Sequence, residues 1–251
     1  MVPFSYTVAP TAGSAVAHVG ATPGAEYIAG GTDMLQLLQD GVRTPAELVD
    51  ISELPLAEIQ VDANGARIGA LARLSDVADD RRIQEEFPAV AQALAASASP
   101  QVRNMATIGG NLLQRTRCLY FRDLATPCNK REPGSGCPAQ DGLNRMNAIL
   151  GGSTHCIAAY PGDLAVALVA LGALVHVIGA TGERAMAVED LHQLPGDTPH
   201  IETALAPGEL IAAVSIPVSK RARRSCSTAS PSPWWWPIRW RRLATRPIWS
   251  R

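Results

Sequence analysis

The sequence lacks an apolar run long enough to cross a membrane. A transmembrane helix needs about 20 consecutive apolar residues, whereas the stretch from Leu164 to Val177 is shorter and is interrupted by Gly172. The N-terminus also lacks the basic segment followed by an apolar one that marks a secretory signal. We therefore predict a soluble chain without membrane insertion and without an export signal of its own, which favours the cytoplasm.

The sequence also lacks the motifs of hydrolytic enzymes. It has no nucleophile elbow, no H-E-x-x-H pair and no Ser-His-Asp order, and its five histidines have no ligand-like spacing. These absences exclude the common hydrolase classes, and we predict no catalytic side chain in this chain.

Acidic residues are missing from one part of the chain. The net charge of −1 hides an asymmetry, because residues 219–251 contain nine basic residues, no acidic residue and all five tryptophans. The remaining 218 residues are strongly acidic, which argues against nucleic-acid binding by phosphate neutralisation. We predict a folded region over residues 1–218 and a disordered Arg/Trp/Pro tail over residues 219–251.

The folded region shows an α+β pattern of short strands and helices. Apolar runs bounded by glycine and proline predict strands at 27–29, 47–51, 66–71, 156–159, 173–178 and 211–216. Amphipathic segments predict helices from 34 to about 40, and over 74–79, 89–96 and 163–171. Between residues 114 and 154 the periodicity disappears, and an irregular segment of that length needs something to organise it.

Two glycine-rich motifs are candidate ligand cradles. Gly30-Gly31-Thr32-Asp33 follows a predicted strand and opens a helix, where free N–H groups can bind phosphate. Thr107-Ile108-Gly109-Gly110-Asn111 predicts a second turn with backbone donors and a side-chain amide. Asp163 starts a helix and is suited either to bind sugar hydroxyls or to act as a plain acidic cap.

Four cysteines lie in or at the end of the irregular segment: Cys118, Cys128, Cys137 and Cys156. Four thiolates suit a tetrahedral metal or an iron–sulfur cluster. Their spacing matches neither a zinc knuckle nor a ferredoxin run, and two disulfides are a further option in an oxidising compartment. A zinc-stabilised interaction module is therefore an alternative function to a redox protein.

These motifs together resemble the flavin-binding subunit of the molybdenum hydroxylases, the xanthine dehydrogenase family. The resemblance rests on three segments: Ala29-Gly30-Gly31-Thr32, Thr107–Asn111, and Ile157–Leu164 with its Pro161-Gly162-Asp163 turn. The cysteine-containing insertion is similar to one branch, the three-subunit periplasmic aldehyde oxidoreductase. The resemblance implies a two-subdomain FAD-binding fold of the PCMH/VAO type, with subdomains at about 1–55 and 56–218 and an iron–sulfur insertion at 114–156.

The resemblance also implies two cofactors, FAD and a 4Fe-4S cluster. The cluster ligands would be the four cysteines named above. FAD would be held by the first motif, by the second motif and by two further side chains, through Tyr27, Ile28, Ala29, Gly30, Gly31, Thr32, Asp33, Met34, Thr107, Gly110, Asn111, Arg117 and Asp163.

An electron-transfer role with two partner subunits is implied in the same way. A large subunit with a molybdenum cofactor would oxidise the aldehyde, and a small subunit with 2Fe-2S clusters would pass electrons to FAD in this chain. Export with a signal-bearing partner would place the heterotrimer in the periplasm. A stand-alone flavin oxidase is the nearest enzymatic alternative.

The tail departs from the family pattern after about residue 218. The family continues into a further C-terminal domain, which is here missing or out of frame. We hypothesise a frameshift, and the competing hypothesis is an arm that binds a membrane surface or nucleic acid through its Arg and Trp residues.

Overall fold

The computed structural model describes residues 2–218 and 220–223. Lys220–Arg223 forms one helical turn, and the rest of the tail, for which we predict disorder, lies outside the described residues. None of the described helices is both long and apolar enough to cross a bilayer.

The first part of the chain forms a three-stranded parallel sheet with the strand order β1-β3-β2. Two helices connect its strands, because parallel neighbours need crossover connections. The elements are β1 (Ser5–Val8), α1 (Ala12–Ala21), β2 (Ala25–Ile28), α2 (Met34–Gln39) and β3 (Glu47–Asp50). A small apolar core lies between α1 and this sheet and also takes in Leu71 and Leu210 from the rest of the chain.

The second part forms an antiparallel sheet of five strands with the order β4-β5-β8-β6-β7. Helices pack on it and enclose the main apolar core, in which Phe87, Ile108 and Leu164 are fully buried. Its strands are β4 (Ile59–Asp62), β5 (Gly65–Gly69), β6 (Leu174–Gly179), β7 (Gly182–Ala187) and β8 (Leu210–Pro217). Its helices are α3 (Leu74–Asp79), α4 (Arg81–Glu86), α5 (Pro88–Ala96), α6 (Pro100–Arg103), α7 (Ile108–Leu112), α8 (Leu119–Arg122), α9 (Asp163–Ala170) and α10 (Val188–Leu191), with α11 (Lys220–Arg223) at the end of the described chain.

The mixed helix and strand content and most of the predicted elements are confirmed. The predicted strand at 156–159 is wrong, because this segment pairs with no strand of the two sheets and has no regular secondary structure as far as Gly162. Sequence reasoning missed the strands β1, β4 and β7, which are short or mostly exposed, so that their apolar pattern is weak. It also missed the helices α1, α4, α6 and α10. The segment from 114 to 156 is irregular as predicted, apart from the single turn α8.

Candidate functional site

The two glycine-rich motifs meet in the folded chain. A Cβ atom on Gly30 would lie 1.8 Å from the main-chain oxygen of Met105, two residues before Thr107. Only glycine therefore allows the turn after β2 to contact the segment that leads into the second motif. Gly31 adopts a positive φ of 68°, which an L side chain rarely adopts. The structure thus places both predicted cradles at one site.

The second motif is the start of a helix rather than the turn we predicted. Thr107 is the N-cap of α7, and its hydroxyl accepts a hydrogen bond from the Gly110 N–H at 3.3 Å. Gly109 packs against Ala70 at the end of β5, where an added Cβ would lie 3.1 Å from the Ala70 Cβ. Two consecutive glycines are uncommon in a helix, but here Gly109 lets α7 pack closely against the sheet.

Asn111 carries an unsatisfied acceptor at this site. Its Oδ1 is buried and has no hydrogen-bond partner, although buried polar atoms are almost always paired. The main-chain oxygen of the same residue accepts a hydrogen bond from the Tyr160 hydroxyl at 2.9 Å. The backbone of Asn111 is thus held by the protein, while its side-chain oxygen remains available to a ligand donor.

Asp33 contacts the start of the irregular segment instead of capping α2. It occupies the N-cap position without a side-chain cap hydrogen bond. Its carboxylate accepts hydrogen bonds from the Arg115 N–H at 2.7 Å, from Arg117 at 2.6 Å and from Arg122 at 2.8 Å. Burial alone would raise the pKa of Asp33, but these hydrogen bonds and the charges of Arg117 and Arg122 outweigh it and lower the pKa.

Replacing Asp33 by asparagine is expected to reduce the free energy of unfolding by about 2–4 kcal/mol, because a half-buried pair loses its anion and leaves cations unpaired. The lowered pKa means that the wild-type advantage is fully present above the unfolded-state pKa of about 3.9 and declines as the pH falls through the lower folded-state value. Urea unfolding of the wild type and of Asp33→Asn between pH 7 and pH 3 measures this difference in the free energy of unfolding. Asp79→Asn, at an exposed position, is the control. If the free energies of unfolding of wild type and Asp33→Asn differed by the same amount at every pH, the ionised Asp33 carboxylate would not be the source of the stability.

The side chains of the other residues in the first motif mostly contact the rest of the protein, which leaves their main chain to face a ligand. Tyr27 and Ala29 pack into the small core around α1, and the Tyr27 hydroxyl donates to the Gly208 main-chain oxygen at 2.7 Å. Burial raises the pKa of Tyr27 to about 12. Ile28 points to the opposite side, within 3.6 Å of the position of a Cβ on Gly31. Thr32 is half-buried, and Met34 begins α2.

Asp163 and Arg117 lie at different depths. Asp163 is the first residue of α9, and burial raises its pKa, although the nearby Ser97 hydroxyl partly offsets this effect. Its carboxylate is therefore poorly solvated and would gain from a further hydrogen-bond donor. Arg117 has 48% of its side chain exposed while it contacts Asp33.

The four cysteines of the insertion are free thiols, so the disulfide alternative is wrong. Cys118 and Cys128 share a small apolar cluster with Leu37 and Phe121. Cys156 lies close enough to Cys128 and Cys137 for their charges to influence it, although burial is the main cause of its raised pKa. Within the described residues, however, no three His, Cys, Asp or Glu side chains are grouped so as to hold a metal ion.

An ion-pair cluster that sequence reasoning missed fastens the insertion to the chain. Glu202 pairs with Arg115 and, at 2.8 Å, with Lys130, whose ammonium group also donates to the Pro199 main-chain oxygen at 2.9 Å. The basic residues of the insertion offered a signal, but the acidic partners of Arg115, Arg117, Arg122 and Lys130 lie about 70 to 90 residues away in sequence.

Comparison with known proteins identifies the family. The family described as the FAD binding domain in molybdopterin dehydrogenase matches residues 2–219. The chain belongs to this family. It is 48% identical over 219 residues to the aldehyde oxidoreductase FAD-binding subunit PaoB of Escherichia coli, covering 86% of this chain and 69% of that protein. It is 36% identical over 110 residues to the xanthine dehydrogenase FAD-binding subunit of Escherichia coli O157:H7, covering 43% of this chain and 38% of that protein.

A solved structure confirms the fold. Carbon monoxide dehydrogenase from Oligotropha carboxidovorans contains a chain that superposes with a TM-score of 0.63 at 24% identity. The match covers 87% of this chain and 61% of that chain. The chain therefore spans about three fifths of the solved relative and about two thirds of the aldehyde oxidoreductase subunit.

Proposed function

We propose that this chain is the FAD-binding, electron-transferring subunit of a molybdenum-dependent aldehyde oxidoreductase. One observation carries the proposal: the contact between Gly30 and Met105 brings two backbone cradles together beside the buried, unpartnered Oδ1 of Asn111. A dinucleotide needs separate contacts for its pyrophosphate and its sugars, and a buried acceptor needs a donor from outside the protein. The residues present therefore fit FAD.

Each part of the site has a chemical role in this proposal. The main chain from Gly30 to Met34 would hold the pyrophosphate, while Thr107 and Gly110 shape the second cradle. The paired arginines neutralise the Asp33 carboxylate, which would otherwise repel a phosphate. Asn111 would accept from the cofactor, and the half-buried Asp163 would accept from a ribityl hydroxyl. When bound, FAD supplies the electron-transfer chemistry, and the protein supplies binding and orientation.

Two partner subunits complete this function. We propose a large subunit with a molybdenum cofactor, where the aldehyde reacts, and a small 2Fe-2S subunit that passes electrons to this chain. The relative from Escherichia coli, named an aldehyde oxidoreductase subunit, supports this assignment. The heterotrimer would lie in the cytoplasm, or in the periplasm if a signal-bearing partner exports it.

The finer proposal is a 4Fe-4S cluster ligated by Cys118, Cys128, Cys137 and Cys156. Its support is chemical. The four thiols are free, and two of the sulfur atoms accept N–H hydrogen bonds at 3.4 Å, from Asn147 to Cys118 and from the Ala158 main chain to Cys156. Such hydrogen bonds tune iron–sulfur clusters. Since the described side chains do not form a metal-holding group, ligation would require the cysteine side chains to move together.

The test is the flavin and iron content of the chain, purified anaerobically with its partner subunits and corrected for theirs. About one FAD and about four additional iron atoms per chain are expected. Flavin without additional iron would reject the cluster but leave the flavin site standing. It would favour a zinc site at the cysteines, which is colourless. Neither cofactor in a folded chain would reject the flavoprotein function. A stand-alone flavin oxidase would instead turn over its substrate without partners.

Replacing Asn111 by alanine is expected to weaken FAD binding about 10-fold, because the cofactor donor loses its buried acceptor. The dissociation constant, from quenching of flavin fluorescence during titration of the apoprotein, measures this. Asn64→Ala, in the turn before β5 and therefore at the opposite end of this strand from the contact between Ala70 and Gly109, is the matched control. Equal affinities of Asn111→Ala and wild type would remove Asn111 from the site.

A further inference from the structure

The helix that carries Asn111 ends in an unusual set of side-chain hydrogen bonds. The last carbonyl groups of any helix lack partners within the helix. At the end of α7, the Tyr160 hydroxyl lies 2.9 Å from the Asn111 main-chain oxygen and 3.1 Å from that of Leu112. His192 Nε2 lies 2.8 Å from the same Leu112 oxygen, and Gln114 Nε2 donates to the Asn111 oxygen at 3.0 Å. Three side chains thus satisfy two carbonyl groups.

Tyr160 and His192 act together at this point. Their ring centroids lie 4.2 Å apart with an interplanar angle of 46°, a tilted contact typical of aromatic pairs. Because a carbonyl oxygen only accepts, His192 Nε2 must carry the proton. Burial raises the pKa of the Tyr160 hydroxyl, so this group remains a donor throughout the physiological pH range.

The neighbouring chain fixes the Tyr160 ring. A Cβ on Gly162 would lie 2.4 Å from a ring carbon of Tyr160, so any side chain at this position, just before α9, would displace the ring. The same short segment carries Tyr160 and Asp163, and the Tyr160 hydroxyl contacts the main-chain oxygen of Asn111. A displacement of Tyr160 would therefore affect both of these proposed cofactor contacts.

We propose that Tyr160 is a positioning residue for the flavin site. It holds the main chain of Asn111 and Leu112 and thereby sets the position of the Asn111 side-chain oxygen, which has no partner in the protein. This inference rests on the proposed flavin-binding function. It assigns to Tyr160 a role exerted through Asn111 and not through contact with the cofactor.

The test is a double-mutant cycle of Tyr160→Phe and Asn111→Ala, with the FAD dissociation constant as the readout. Tyr160→Phe keeps the ring and removes the donor, and we expect FAD binding about 10-fold weaker. In the Asn111→Ala background the same change should have less than about a 2-fold effect, because the side chain it positions is gone. A purely structural role would weaken binding equally in both backgrounds, and that result would overturn the proposal.

Two further variants keep the test decisive. Tyr120→Phe is the matched control, because the Tyr120 hydroxyl accepts a hydrogen bond from the Leu143 N–H within the insertion. The FAD affinity of this variant should stay unchanged. If Tyr160→Phe does not fold, His192→Phe removes the donor to the adjacent Leu112 oxygen and enters the same cycle, with the same outcomes deciding. Wild-type protein that binds no FAD would reject the flavoprotein function itself. Wild-type binding with an unaffected Tyr160→Phe variant would reject only the positioning role.

Discussion

Replacing Gly30 by alanine is expected to weaken FAD binding at least about 100-fold and to lower the free energy of unfolding by about 3 kcal/mol. The added Cβ would lie 1.8 Å from the Met105 oxygen and 2.7 Å from its carbonyl carbon. Both are main-chain atoms, so no side-chain rotation relieves the clash, and the two motifs must separate. Flavin content after purification and urea unfolding measure the two effects.

Gly13→Ala is the matched control for this prediction. Gly13 lies in α1, and a Cβ there would meet nothing within 4 Å. Alanine should therefore stabilise the helix by about 0.5–1 kcal/mol without changing flavin binding. Retention of full FAD affinity by Gly30→Ala would contradict the view that the contact between the two motifs forms the cofactor site.

Replacing Cys128 by serine is expected to remove all of the additional iron, about four atoms per chain, while most of the FAD is retained. A cluster held by four thiolates is destabilised when one ligand becomes a hydroxyl, which binds iron poorly. Cys128 lies in the apolar cluster of Leu37, Cys118 and Phe121, and it is outside the set of residues proposed to hold FAD. Iron analysis and the visible spectrum of the anaerobic complex, compared with the wild type, measure the change.

Cys226→Ser provides the control, because this fifth cysteine is outside the proposed ligand set. Its iron content should equal that of the wild type. If Cys128→Ser also retained the full iron content, the proposed ligand set would be wrong. If the wild type contained zinc in place of iron and Cys128→Ser lost this zinc, the result would instead support the zinc-stabilised module.

The ion pairs of the insertion explain why we expect the proposed flavin site and the proposed cluster site to be mechanically linked. Asp33 belongs to the first glycine-rich motif, and its three donors belong to the segment that leads into and follows Cys118. Glu202 holds the same segment from the other side through Arg115 and Lys130. A change at Asp33 should therefore disturb the insertion as well as the flavin turn.

Local patterns determined a large part of this protein. The strand and helix around Gly30, the irregular segment and the helix at Asp163 follow from apolar periodicity and from glycine and proline, which act over a few residues. The same short motifs carried the family resemblance, which the comparison confirmed.

Only the tertiary structure decided how these motifs combine. The partners of Asp33 lie 82 to 89 residues away, and Tyr160 lies 49 residues from Asn111. Which donor meets which acceptor at such separations depends on how the sheets and helices pack. The sequence therefore determined the local elements and the candidate residues, whereas packing decided that Asp33 binds arginines and that Asn111 keeps a buried oxygen without a partner.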